Sequence, residues 1–496
     1  MSWSLGGCPR GESSERGNVH PTTSDLTLGG WPRMRRVVGL AGTFTALGAC
    51  LLVLTSCGSS SSSPRVAKSK LTIWYSTDDP VETNWAKGLV PIFEKAHPNI
   101  QVNMHVFDLD DFNDKMQDAL GSNTGPDLAY ATPRAPAIPI YVTHGELTNL
   151  TSYALKYDWS GLLRPGLLDF WNGPFRIWNN KAPDFNGGDD DDAPPTTSTQ
   201  IYGVPDAMAA VAVAYNTKLM AKLNITFPKT VSQMVADAVL AKKAGMIPFG
   251  IGNNDLWLGD DWYISLAEQS YSVSRLEPVL SDGYFNFASH PFLKAGNLLS
   301  QWSKDGYFTP SYSALDAQGG VISFFRGKTL FQLLSSSENA QLLQSESSTK
   351  VPIAVAAFPG SFPGHTGLMP YSGYEGWIVP KASHDKAGAV TWINFMLHPS
   401  ATKYLLAHGV LPTTRVTAMQ APTAFQREFL TAFAGARRGI YLDATPVPNF
   451  DANMEGNIAN LLAGRETSRQ LATANEQAYQ SFGKTANHVM DIDGEY

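Results

Sequence analysis

From residue 71 onward, apolar positions recur with two different periods. Leu71-Thr72-Ile73-Trp74-Tyr75 is a short β-rich run, closed by the turn-forming Ser76-Thr77-Asp78-Asp79-Pro80. Trp85, Leu89 and Phe93 then repeat every four residues along one helical face, until His97-Pro98-Asn99 breaks the helix. Residues 100–106 alternate apolar and polar, the period of a strand. Phe112, Met116 and Leu120 mark a second helix over 111–120, and Gly125-Pro126 precedes a third strand at Asp127-Leu128-Ala129-Tyr130. This strand–helix alternation predicts an α/β fold with a mostly parallel sheet under helices.

The pattern continues with a buried strand over 207–214, almost all Ala, Val or Met, and helices over 229–244 and 260–271. A strand is expected near 351–358, and helices over 386–397, 400–407 and 451–483. Residues 181–200 stand apart, with Gly187-Gly188, four aspartates from Asp189 to Asp192, and Pro194-Pro195. Clustered carboxylates suit a hard cation, but the spacing lacks the alternation of a calcium loop, so a solvated surface insertion is expected and no metal is assigned.

The first sixty residues change the picture. Arg33, Arg35 and Arg36 precede an uncharged apolar stretch from Val37 to Leu54, the arrangement of an export signal. Leu54-Thr55-Ser56-Cys57, followed by Gly58, resembles the lipobox of bacterial lipoproteins, which implies cleavage before Cys57 and lipid on its thiol. The competing interpretation is an uncleaved membrane anchor. Residues 1–56 are taken as leader, with Met34 as the true start, and 57–70 as lipidated cysteine and Ser-rich tether. Arg35-Arg36 leaves the export route open between the general and twin-arginine pathways. Cys8 and Cys50 lie in the leader, so the exported body has neither a disulfide nor a Cys-type metal or redox site.

Composition removes further classes. The 496 residues carry a net charge of −7 and no basic patch, which argues against nucleic acid as a partner. No H-E-x-x-H or G-x-S-x-G motif occurs, Ile322 spoils the phosphate-loop fragment ending at Gly327-Lys328-Thr329, and Asp255 spoils the dinucleotide fingerprint beginning at Gly250. No cofactor is expected. A glycosidase carboxylate pair has no sequence spacing, so Asp260, Asp261, Glu375 and Asp451 stay under watch.

Several stretches resemble one family, in order and spacing. They are Phe93-Glu94-Lys95 with His97-Pro98-Asn99-Ile100, Gly125-Pro126-Asp127-Leu128, and Gly145-Glu146-Leu147 with Leu150-Thr151. Tyr202-Gly203-Val204-Pro205, Tyr215-Asn216-Thr217-Lys218-Leu219, Pro228-Lys229-Thr230, Phe325-Arg326-Gly327-Lys328, Gly373 to Pro380 and Gly409-Val410-Leu411-Pro412 complete the set. The body is similar to the extracellular solute-binding proteins of carbohydrate ABC importers, the maltose-binding-protein-like family. That resemblance implies a periplasmic-binding-protein-like α/β fold of two lobes with a hinge and a ligand cleft between them. Lobe one would hold 71–206 and 311–398, and lobe two 207–310 and 399–496. It implies a monomer without enzymatic activity, held outside the cell membrane by Cys57, that passes a sugar to permease subunits.

A sugar needs polar groups around its rim and a flat aromatic under its C–H face. The resemblance places Asp78 in the first ligand loop, where a helix-capping turn is the alternative, and Tyr130 just after Asp127, itself expected to support its loop. It places Asp206 where the chain crosses between lobes, and Trp257 or Trp262 at the stacking position. Tyr374 and Glu375 fall in a glycine-rich cleft loop, and Asp451 where relatives stack a tryptophan. Ala131 and Arg134 depart from the maltodextrin-binding pattern. A non-sugar solute such as a glycerophosphodiester, a secreted glycosidase, and a lipoprotein without ligand remain as alternatives.

Overall fold

Alternation in the first strands decides which side of the sheet each helix covers. In β1 (Ser69–Ser76), Leu71, Ile73 and Tyr75 face one core and Trp74 the other. α1 (Pro80–Ala96) lays Trp85, Leu89 and Phe93 against the first face. β2 (Ile100–Phe107) follows, and α2 (Leu109–Ser122) lays Phe112, Met116 and Leu120 against the second. β3 (Leu128–Ala131) divides the same way, with Leu128 and Tyr130 on the first face and Ala129 and Ala131 on the second. Both β2 and β3 pair with β1 in parallel, as the helical crossovers require. Because α1 and α2 leave the sheet on opposite faces, the carboxyl ends of β1 and β3 form a topological switch point, where open α/β sheets take ligands.

The structure is a computed structural model that describes residues 68–492 apart from 78–79, 123, 132–137, 139–140, 143, 166, 169–170, 174–199, 272–285, 337–350, 362–366, 440 and 442–449. The leader with Cys57, most of the tether, Asp78, Arg134 and the acidic insertion lie outside the described residues.

The second half of the molecule is built on β4 (Gly203–Asn216), followed by α3 (Val231–Lys243), β5 (Ile247–Gly250), α4 (Trp257–Glu268), α5 (His290–Lys304) and α6 (Ala317–Phe325). Then come β6 (Thr329–Ser335), β7 (Ile353–Ala356), β8 (Leu368–Ile378), α7 (Lys386–Met396), α8 (Pro399–Ala407), α9 (Ala424–Gly435), β9 (Arg437–Gly439), α10 (Phe450–Leu462) and α11 (Ser468–Ile492). The strands run in the order β2-β1-β3-β8-β4-β6-β5, with β7 paired to β4 and β9 to β8. Val211 and Val213 of β4 turn into a core with Phe249, Trp262, Trp302 and Phe331; Ala210, Ala212 and Ala214 turn the other way, against Phe429 and Phe433 of α9. The result is two α/β lobes strung on two long strands, β4 and β8. A third crossing joins them: Met208 N–H donates to Leu411 O at 2.9 Å and Thr413 N–H to Asp206 O at 2.9 Å.

Three expectations change. Residues 329–335, expected in lobe one, pair with β5 and with the far half of β4, so β6 packs with the second lobe. Ala401 and Leu405 of α8, expected in lobe two, pack beside Trp392 in the first-lobe core. Sequence order does not disclose strand partners, and these segments followed the wrong neighbours. The helix expected over 451–483 is two helices, broken where Gly464 takes a φ of +72° that other residues resist.

Asp127 ties lobe one together. Its carboxylate accepts from Thr72 N–H at 2.9 Å, His384 N–H at 2.8 Å and Asp385 N–H at 2.9 Å, and Asp385 in turn caps α7 through Gly388 N–H at 2.8 Å. The loop-supporting role expected for Asp127 is the one it has. Asp127→Ala strands three backbone donors, and chemical denaturation should show a loss of roughly 3–5 kcal/mol.

Candidate functional site

Where β1 and β3 end, β4 and β8 cross between the lobes, and their ladder is irregular there. Ser372 pairs Ala209, Glu375 pairs Ala207 and Gly376 pairs Pro205, so β8 carries an extra residue and β4 then carries one of its own. The residue skipped on β4 is Asp206. A bulge re-aims the side chain it carries. Gly373 and Gly376 make the crossing possible: a Cβ on Gly373 would meet Leu167 O and Pro205, and one on Gly376 the backbone of Val204 and Pro205, all at 2.6 Å. Their smallness serves strand-on-strand packing.

The side chains gathered at this point are aromatic and acidic. The Tyr75 and Tyr130 rings stack at 4.3 Å and 9°, and Trp377 tilts onto Tyr130 at 4.7 Å. Their polar ends reach three carboxylates. Tyr75 O–H donates to Glu82 Oε1 at 2.7 Å, with Thr77 O–H on Glu82 Oε2 at 2.6 Å. Tyr130 O–H donates to Glu375 Oε2 at 3.1 Å, and Trp377 Nε1–H to Asp206 Oδ2 at 2.6 Å. Asp206 is 1 % exposed and its Oδ1 has no hydrogen-bond partner among the described residues. Glu82, in the first turn of α1, and Glu375 are half-buried.

Burial sets the protonation of this cluster. It pushes the Asp206 carboxyl up to about 7, with the Trp377 indole pulling the other way. Burial also raises Glu375, and the Glu82 carboxylate adds to the rise. Tyr75 and Tyr130 are raised by burial and by the same acids, so both stay protonated as donors.

The expected residues are distributed unevenly around this centre. Asp206, Tyr130 and Glu375 come together, but Tyr130 is wholly buried in the stack and acts through its hydroxyl alone, with no ring face left for a ligand. Trp262 is corrected to a core residue: it is 0 % exposed, with Phe249, Trp302, Phe308 and Phe358 around its ring. Trp257 is part-exposed at the start of α4, its indole N–H on Asp255 Oδ2 at 3.1 Å. The preceding Leu256 has a φ of +72°, a strained conformation of the kind that gathers at ligand sites. Tyr374 lies on β8 and Asp451 at the start of α10, with both side chains outside the described residues. Tyr75, Glu82 and Trp377 were not anticipated. Tyr75 reads as strand core and Glu82 as an ordinary first-turn acid; only the sheet order joins them to Glu375. Among the described residues no group of three His, Cys, Asp or Glu side chains is arranged to hold a metal ion.

Asp206 gives the site a stability signature. Its carboxyl rises from an ordinary 3.8 to about 7 in the fold, so the folded state keeps a proton the unfolded chain has lost between those values. The stability is complete below about pH 4 and falls as pH climbs through 7. Asp206→Asn mimics the protonated form. Melting curves should show the variant gaining on the parent from pH 5 to pH 8.

Known proteins share this architecture. A family model described as bacterial extracellular solute-binding protein matches residues 77–403. The melibiose/raffinose/stachyose-binding protein MelE of Bacillus subtilis is 22% identical over 85% of this chain and 92% of its own length. A chitin oligosaccharide binding protein superposes with a TM-score of 0.66 at 17% identity, covering 84% of this chain and 99% of that one. A sugar transporter from Bacillus licheniformis in complex with stachyose gives 0.61 at 18% identity, covering 83% and 100%. With the family model spanning about two thirds of its length, the chain belongs to the bacterial extracellular solute-binding proteins.

Proposed function

We propose that this protein captures a sugar or oligosaccharide between its lobes and delivers it to the permease of an ABC importer, held at the outer membrane face by lipid on Cys57. The observation that carries this is the acid cluster at the switch point, built on the two strands that join the lobes. Glu82 and Glu375 present acceptor oxygens suited to a sugar's hydroxyl rim, and Trp257, on lobe two, offers an aromatic face. A solute held by both lobes favours the closed state over the open one, which is the differential affinity a hinge needs. The sugar names of MelE and of the stachyose complex support the same ligand class. The chain acts as a binder and not as an enzyme. No helix among the described residues is long and apolar enough to cross a membrane.

A thermal-shift screen with melibiose, raffinose, stachyose and chitin oligosaccharides tests this. A bound sugar at a hundredfold excess over Kd should add about 2.7 kcal/mol of stability. Sugars that leave the melt unmoved while another solute class shifts it would overturn the assignment. Trp257→Ala should weaken the best sugar by roughly tenfold in calorimetry, the worth of one stacking face.

A further inference from the structure

We infer that Arg164 and Arg415 form a second binding site, for an oxyanion of the phosphate class, on the face of the interlobe crossing that α9 covers. Its residues are not those proposed for the sugar, and it stands or falls apart from that reading.

Strand pairing sets the two arginines side by side. Leu163 bridges Thr414 in antiparallel fashion, with Arg164 N–H donating to Thr413 O at 3.1 Å and Arg415 N–H to Leu162 O at 3.2 Å. Residues two apart on a strand share a face with those opposite them, so Arg164 and Arg415 point the same way as diagonal neighbours. Arg164 lays its guanidinium over the Phe433 ring of α9 at 4.8 Å, and Phe433 meets the Tyr371 ring of β8 at 4.7 Å. Phe433 and Tyr371 pack with Ala210 and Ala212, whereas Trp257 packs with Val211 and Val213 on the other face of β4.

Neither cation has a counter-charge. Arg164 Nη2–H donates to Val416 O at 2.6 Å and Arg415 Nε–H to Leu163 O at 3.0 Å, so both side chains rest on backbone carbonyls. Among the described residues no carboxylate pairs with either. Burial lowers the Arg164 pKa, the Tyr371 hydroxyl opposes that, and the Arg415 charge adds to the fall, the mark of two guanidiniums that repel. A guanidinium nonetheless stays protonated in a protein. Arg164 Nε–H is also buried without an acceptor among the described residues. An orphaned donor on a charged group is costly, and an ion that joins both guanidiniums removes the cost and the repulsion together. Planar forks match the paired oxygens of a phosphate, and the exposure of Arg415 leaves the site open to solvent. Leu162, 40 % exposed, shares the face of the arginines, and Met419, 94 % exposed, lies four residues beyond Arg415. Apolar tips beside cations suit a phospholipid surface, so the oxyanion has two sources, a headgroup or a soluble ion.

Calorimetry on the full chain tests the site with inorganic phosphate, titrated against a chloride control of equal ionic strength. Phosphate should bind and chloride should not. Arg415→Gln, at an exposed position, should weaken phosphate by about tenfold or more, the worth of one charge-assisted hydrogen bond. Arg415→Lys should recover only part of that loss, because an ammonium lacks the fork. Arg164→Gln is the second variant, with folding of each checked by melting point. Sedimentation with vesicles of phosphatidylglycerol in phosphatidylcholine separates the sources. Retention that falls with Arg415→Gln assigns the oxyanion to a lipid headgroup; phosphate binding without that fall assigns it to a soluble ion. Phosphate that behaves as chloride does, together with vesicle retention indifferent to Arg415→Gln, overturns the inference. So does phosphate binding that survives both arginine substitutions.

Discussion

The antiparallel pairing of β4 with β8 is the constraint on which the rest of the molecule depends. Each strand runs out of one lobe's sheet and into the other's, so the two cores cannot move independently of this ladder. A continuous ladder would be stiff. Here it is broken twice within a few residues, once by an extra residue on each strand, and the breaks compensate so that the pairing resumes beyond them. The irregularity is thus confined to one place, and the register is the same on both sides of it.

The same irregularity builds the site. Regular pleating would send Asp206 into one core or the other, where a carboxylate has no business. Skipped by the ladder, it reaches the ends of β1 and β3 and meets Tyr130 and Trp377. The cluster is costly to the fold: a 1 % exposed acid, a second acid lifted by burial and then by the first helix's Glu82, and tyrosines forced to remain protonated. Polar groups that a purely structural design would avoid are expected where function overrides packing.

Most of the architecture was legible in the chain, because burial writes its period into the sequence. Trp85, Leu89 and Phe93 fell on one helical face as their spacing demanded, and the Ala/Val run of β4 proved buried on both sides. Asp127 was legible as a support. What the chain concealed was adjacency at long range. Nothing in the order of residues places β6 beside β5, or sets Glu82 opposite Glu375 across nearly three hundred positions of sequence. Trp262 misled for a related reason: its polar flanks, Asp260 and Asp261, suggest a loop, whereas α4 starts at Trp257 and one helical turn carries Trp262 inward. Local company predicts exposure poorly once a helix rotates neighbours to opposite sides.

Gly373 and Gly376 carry a consequence for how such a protein can diversify. A Cβ at either position would come within 2.6 Å of a neighbouring backbone atom, so neither tolerates even a methyl group and the crossing has almost no sequence latitude. The carboxylates gathered there are held by hydroxyl and indole donors, and a change in their length or charge leaves the close packing at the two glycines intact. The side chains around the crossing can therefore diverge while the crossing itself stays as it is.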